Sequence, residues 1–492
     1  MRRHGRILIV CLLLLAPLMG AAAQQAGDVT GLQNYVLANG MEVFVLENHT
    51  VPLARIQLTF RTGGMSQTPQ TAGLFHLYEH MLFKGNKAHP TQSDLQAAMK
   101  SLGVADWNGG TSNESVSYYF TVPSDKTTQG IQFWADAARS PLLDPGELET
   151  EKNVVVNEIL GYLSDPGTIF ESAVDKALFS KYPWRKDVSG SEALVRAATV
   201  QTLQNIRDTW YVPNNTALFV GGDVDPAAVR AAVQKAFGDW QKAPDPWSPP
   251  PVPQVGPANN VLLVYPDDQM YAGIVSVNLE MRGPDVTRDP ASTYAADVLG
   301  KLLEDPNGKF KSDIFQKVPG LYKKEYMSEE YATQRDGGFV TFSTLMVINP
   351  RQSTFDRLTG LKQAFADEVS SIASTPTYFT SNDYAVLERQ LADQRVWERE
   401  TVDGFISELS FWWSTASTSY YMGYTDQLQK TRQPDIAAFL NRYVIDKPAV
   451  LSVRMNPKDF EREKVAAEKN GWTVITKDNA FWWADQGKAG AQ

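Results

Sequence analysis

The apolar and polar positions of the chain change rhythm several times, and each rhythm predicts an element. Asn34 to Glu47 holds two short strand-like runs about an Asn39-Gly40 turn, and Leu53 to Arg61 alternates like a strand with one face buried. Helical spacing follows, with helices expected from Ala72, from Ser93 and from Lys126. The best-marked helix opens at Asp144. An N-cap aspartate is followed by Pro145 at the first helical position, Glu147 as a capping-box partner, and then "LETEKNVVVNEILGYL". Mixed strands and helices of this kind predict an α+β fold, with helices packed on antiparallel sheets.

The longest break in that rhythm is "KAPDPWSPPPVPQVGP", Lys242 to Pro257, where clustered prolines favour an extended connector. The stretches on its two sides are alike. "TWYVPNNTALFVGGDVDPAAVRAAVQKAFGDW" resembles "NRYVIDKPAVLSVRMNPKDFEREKVAAEKNGW": a Tyr-Val start, an apolar strand, an Asp-Pro or Asn-Pro turn, a helix and a closing tryptophan. This predicts an internal duplication. The expected layout is a leader over 1–23, a first domain over 28–241, a linker over 242–259 and a second, similar domain over 260–486, within the two to four domains that 492 residues allow.

The leader is a separate signal. Arg2, Arg3 and Arg6 precede an apolar run from Ile7 to Leu18, and Ala21-Ala22-Ala23 offers a small-residue cleavage site before Gln24. A secretory signal peptide is expected, because the run is short for a membrane span and Pro17 breaks it. Cleavage removes Cys11, the chain's single cysteine, so disulfides and thiolate-bound metals are excluded from the mature protein. It also leaves 43 basic against 56 acidic residues, a balance that disfavours nucleic acid and anionic membrane as partners. The expectation is a protein without a membrane anchor after cleavage, exported across the inner membrane to a bacterial periplasm.

Candidate chemistry centres on "GLFHLYEHMLFKGN", Gly73 to Asn86. On a helix turning about 100° per residue, His76 and His80 lie about 40° apart and Glu79 about 60° to the other side of His76, so two imidazoles and a carboxylate share one face. The arrangement reverses the commoner His-Glu-x-x-His order and offers the same three groups. A zinc site that keeps a position open for water needs a third protein ligand. With no cysteine left, and only His49 and His89 as further histidines of the mature chain, a carboxylate is expected. Glu151 and Glu158, seven residues apart on one face of the Asp144 helix, both qualify, and spacing alone does not choose between them. The aromatic groups "SFWWSTASTSYY" and "NAFWWAD" are expected to pack in the core.

These stretches, with "NYVLANGMEVFVLENHTVPLARIQLTFRTGG" before the motif and "EKNVVVNEI" after it, resemble in order and spacing the pitrilysin/insulysin family of inverzincin zinc metallopeptidases, in particular its processing-peptidase-like branch. The resemblance implies two similar α+β domains that form one half of a clamshell peptidase chamber. It implies one zinc ion per chain, held by His76, His80 and Glu158, with Glu79 as general base and Glu151 supporting the site from behind. "DWNGGTSNESVSYYF", an ordinary hairpin on its residues alone, is similar to the edge strand on which the family binds extended peptides. Asn108, Gly109 and Thr111 are thereby implied as substrate contacts, mostly through backbone hydrogen bonds.

One departure from the family pattern bears on partners. Members that work alone share an arginine followed seven residues later by a tyrosine, which bind substrate and stabilise the oxyanion; here "DIFQKVPGLYKKEY" places Phe315 at the first position and Tyr322, thereby implied as a substrate contact, at the second. Phenylalanine cannot donate charge-assisted hydrogen bonds to an oxyanion. A second homologous subunit is therefore expected, a heterodimer ahead of a homodimer, acting on peptides or unfolded segments. The competing expectation is a non-catalytic structural or peptide-binding subunit of the same superfamily.

Overall fold

A computed structural model describes residues 31–397 and 400–485; the expected leader over 1–23 lies outside the described residues. Six strands build a first sheet: β1 (Leu32–Val36), β2 (Glu42–Glu47), β3 (Leu53–Phe60), β4 (Asp106–Thr111), β5 (Val116–Pro123) and β6 (Thr216–Gly222), in the order β1-β2-β6-β3-β5-β4. β5 shows the period of two most cleanly, with Val116, Tyr118, Phe120 and Val122 buried and their neighbours half-exposed. A second sheet contains β7 (Val261–Pro266), β8 (Ile274–Arg282), β9 (Ser328–Ala332), β10 (Phe339–Val347), β11 (Val450–Met455) and β12 (Thr473–Val474), in the order β12-β7-β11-β8-β10-β9.

Both sheets are mixed where antiparallel ones were expected. β6 slots between β2 and β3, parallel to the former and antiparallel to the latter; β11 does the same between β7 and β8. A late strand inserted at the centre of an early meander makes one parallel neighbour unavoidable. The two insertions occur at the two stretches that look duplicated. Each inserted strand leads into a helix, Pro226–Phe237 or Pro457–Lys469, with proline in its first turn and Asp225 or Asn456 as the N-cap.

The helices named from periodicity form as α1 (Leu74–Leu82), α2 (Gln92–Ser101), α3 (Thr127–Arg139) and α4 (Pro145–Tyr162). Asp144 caps α4 by accepting from the N–H groups of Gly146 and Glu147 at 2.8 and 3.0 Å. α5 (Pro166–Leu178) follows at once and leaves its own half: Phe170, Val174 and Leu178 pack with Leu263, Val450 and Ile475 on the far face of the second sheet. The helix Val402–Thr415 makes the reciprocal crossing. Its Phe405, Ile406, Leu409 and Trp413 cover Phe44, Ala217 and Phe219 on the far face of the first sheet.

This crossing changes the reading of β3. Arg55, Gln57 and Thr59, expected on a solvated face, are buried. Gln57 Nε2 donates to Ser410 Oγ at 2.8 Å, Thr59 and Ser410 share a hydroxyl bond of 2.8 Å, and Arg55 pairs with Asp403. Buried polar groups persist only when so partnered. Residues 241–260 hold no helix or strand, and the connector is tied down by Ala243 N–H on Asn214 Oδ1 and Gln254 N–H on Asp336 Oδ1. Trp412, Trp413, Tyr420, Phe481 and Trp482 are buried, as core packing requires, whereas Phe411 of the same groups is 44% exposed. Among the described residues no helix is long and apolar enough to cross a membrane.

Candidate active site

Gly73 starts α1 with φ 85°, and a Cβ there would stand 2.4 Å from Ser189 O, so only glycine permits this entry. Leu74, Phe75, Leu77, Tyr78, Met81 and Leu82 commit the rest of the helix to the core. What remains is a single polar strip, His76, Glu79 and His80, facing α4 and β4. α4 presents Glu151 and Glu158 from two turns of one face, with Val155 and Val156 buried between them.

The structure brings His76, His80 and Glu158 together and sets Glu151 behind them. The two Nε2 atoms are 3.1 Å apart, and Glu158 Oε2 lies 3.6 Å from that of His76 and 3.7 Å from that of His80. Donors bound at 2.0–2.1 Å around a tetrahedral ion stand about 3.3 Å apart, so this triangle has the dimensions of a divalent-metal site with one position left open. The donor chemistry fits as well. His80 Nδ1 bonds Glu151 Oε1 at 2.8 Å, which directs the Nε2 lone pair into the triangle. Among the described residues this is the one cluster of three such groups able to hold an ion.

Electrostatics follow from burial. His76 is pushed down to about 4 by burial and by His80. Burial alone would raise the Glu151 carboxyl, but the hydrogen bonds from His80 and Lys84 outweigh it and hold it below the usual range. Burial also pushes Glu79 up, against the opposing effects of His80 and the Thr111 hydrogen bond. Lys84, at 2.5 Å from Glu151 Oε2, escaped the sequence reading: it lies just past the C-cap Phe83 of α1, where helical angles no longer place a side chain.

β4 forms the opposite wall and, among the described residues, pairs only with β5, leaving its other edge unpaired there. Asn108, Gly109 and Thr111 line a cavity of about 520 Å³ together with the metal-type cluster, Phe83, Trp107 and Tyr162. Thr111 does more than present its backbone: its hydroxyl donates to Glu79 Oε2 at 2.9 Å. Asn108 Oδ1 accepts from the Gly109 N–H at 2.9 Å. Tyr322 is not among the residues lining the cavity; it lies ahead of β9 with its ring 5.5 Å from Tyr326 and its N–H on Leu345 O. Phe315 is exposed on the helix Lys309–Lys317.

The inverted order His76-x-x-Glu79-His80 on α1 is the motif of the inverzincin class of metallopeptidases. Residues 43–192 match Insulinase (Peptidase family M16) and residues 197–385 match the Peptidase M16 inactive domain. The chain belongs to this insulinase family of peptidases. An uncharacterized zinc protease of Bacillus subtilis, YmxG, is 26% identical over 210 residues, which are 43% of this chain and 51% of that protein. The chain thus spans about half the length of the curated relative it matches. A protease from Helicobacter pylori has the same fold at TM-score 0.70 and 16% identity, over 86% of this chain and 99% of that one. The first half of the periplasmic protease PqqL from Escherichia coli is similar at TM-score 0.69 and 16% identity, over 89% and 96%.

Proposed function

We propose that the chain is a zinc-dependent endopeptidase that hydrolyses extended peptides or unfolded segments in the periplasm, together with a second homologous subunit. The observation that carries this reading is the convergence of His76 Nε2, His80 Nε2 and Glu158 Oε2 beside Glu79, across a cavity from an unpaired strand edge. Zinc held by these three residues would polarise the scissile carbonyl and acidify a water. Glu79 is the general base. Its carboxylate takes a proton from the attacking water and returns it to the leaving amine, while the Thr111 hydroxyl fixes Oε2 in place. Glu151 orients His80 through Nδ1, and Lys84 keeps Glu151 ionised. A substrate added to β4 as an extra strand would lie along Asn108 to Thr111, which restricts substrates to chains that can extend.

Support for a partner comes from the second half. By the family resemblance Phe315 takes the sequence position of an arginine that would serve an oxyanion, no arginine occurs between Arg288 and Arg335, and Tyr322 is 38% exposed, free to face another chain. The likeness to half of PqqL supports a paired arrangement, and the leader over 1–23 supports export. The test is to purify the mature chain with whatever co-purifies, measure bound zinc, and assay cleavage of an unstructured peptide with and without the partner. Absence of both zinc and cleavage would instead favour the non-catalytic reading.

A further inference from the structure

The turn that ends β4 is gripped from the other half of the molecule. Gln334, Arg335 and Asp336, consecutive in the loop between β9 and β10, reach separate elements. The Gln334 side chain meets Lys186 Nζ. The Arg335 N–H donates to Glu114 Oε1 at 3.0 Å, and its guanidinium Nε donates to Ser414 O at 3.3 Å. Asp336 accepts from Arg185 at 3.3 Å, from Arg288 at 2.9 Å and from the connector N–H of Gln254 at 2.9 Å. Glu114 and Asp336 are each 4% exposed.

Glu114 belongs to the turn between β4 and β5. The opposite side of that turn is laced to the segment before α1, with Gly64 N–H on Ser112 O at 3.1 Å and Met65 N–H on Asn113 O at 3.0 Å. A Cβ on Gly63 would stand 2.2 Å from Ser112 O, so that side is in backbone contact and cannot slide. Three residues before Glu114, Thr111 holds Glu79. A continuous path therefore runs from the second half, through one buried carboxylate, to the strand edge and the proposed base.

We infer that Glu114 is a positioning residue, through which the Gln334–Asp336 loop sets the register of β4 against Glu79; the inference rests on the peptidase reading above. The hold is a hydrogen bond from a backbone N–H, which needs an acceptor oxygen. Glutamine keeps that oxygen and alanine lacks it.

The test uses the mature chain with its co-purifying partner and an internally quenched, unstructured peptide. Glu114→Ala should lower kcat/KM on the order of 10- to 100-fold with zinc per chain unchanged, because sub-ångström misplacement of a base is costly. Glu114→Gln should stay within about threefold of wild type. Asp336→Asn, which touches no residue of β4, should act in the same direction, and the double variant Glu114→Ala/Asp336→Asn should be no worse than Glu114→Ala alone. The inference is overturned by wild-type kcat/KM in Glu114→Ala, by equal impairment in Glu114→Gln, by additive losses, or by zinc lost in step with activity. Should Glu114→Ala fail to fold, amide exchange at Gly109 to Thr111 in Asp336→Asn decides: faster exchange supports the clamp and unchanged exchange overturns it. That measurement also stands if the wild type cleaves no peptide, an outcome that would sink the peptidase reading instead.

Discussion

Behind His80 lies a buried ion pair whose loss has two separable effects. Lys84 Nζ is 2.5 Å from Glu151 Oε2, with side chains 14% and 4% exposed, and the other oxygen of Glu151 takes His80 Nδ1. Glu151→Gln keeps an acceptor for the imidazole but leaves the Lys84 ammonium with only Gln92 Oε1, at 3.3 Å. Breaking a buried pair from one side costs about 3–5 kcal/mol, so the variant should unfold at clearly lower urea. Zinc affinity should fall about 10- to 100-fold, the usual effect of losing an outer contact to a ligating imidazole. Adding Lys84→Met removes the orphaned charge, so stability should largely return while zinc affinity stays low. Urea unfolding and chelator competition on the same preparations read the two effects. The reasoning is refuted if Glu151→Gln unfolds like wild type, or if the double variant is less stable than the single one.

Further outcomes follow from the same geometry. Glu79→Gln should retain zinc and lose peptide cleavage; cleavage at the normal rate would sink the general-base role. His80→Ala should lose the metal, and stoichiometric zinc in that variant would show the ligand set to be wrong. Trp413→Ala, at a side chain 2% exposed against Phe219, should cost about 3–5 kcal/mol in chemical denaturation, tracing how much of the first sheet's far face depends on the second half. Burial, with Asp175 and Glu171 nearby, raises Glu280 from 4.5 to about 8. The unfolded chain then ionises first, so wild type should lose stability as pH rises from about 4.5 to about 8, and Glu280→Gln should lose less, keeping only the share owed to other buried carboxyls such as Glu114 and Asp297. Parallel pH profiles for the two proteins would contradict this.

Local signals were the legible ones. The α4 cap could be read because Asp144 and Pro145 act on their own first turn, and the His76–His80 face because helical angles need no tertiary knowledge. The choice between Glu151 and Glu158 was not legible from spacing, and only the family resemblance named Glu158. Seven residues put both on one face, and the lie of α1 across α4 sends Glu158 to the two Nε2 atoms and Glu151 to His80 Nδ1 and Lys84. Thr111 was expected at the site for its backbone, whereas its hydroxyl reaches Glu79, a matter of side-chain direction. The buried polar side of β3 was hidden altogether, because Ser410, which meets Gln57, is 353 positions away. Central insertion of β6 and β11 was hidden for the same reason: alternation marks a strand without naming its neighbours.

The exchanged helices make the molecule something that can be cut without being parted. α5 belongs by chain to one half and by packing to the other, and Val402–Thr415 mirrors it. A protease that nicked the connector between 242 and 259 would sever the covalent thread and leave two fragments, each still roofing its neighbour. Expressed separately, each fragment would carry a helix with no sheet beneath it and a sheet with no roof, so the smallest soluble piece of this protein is both halves at once.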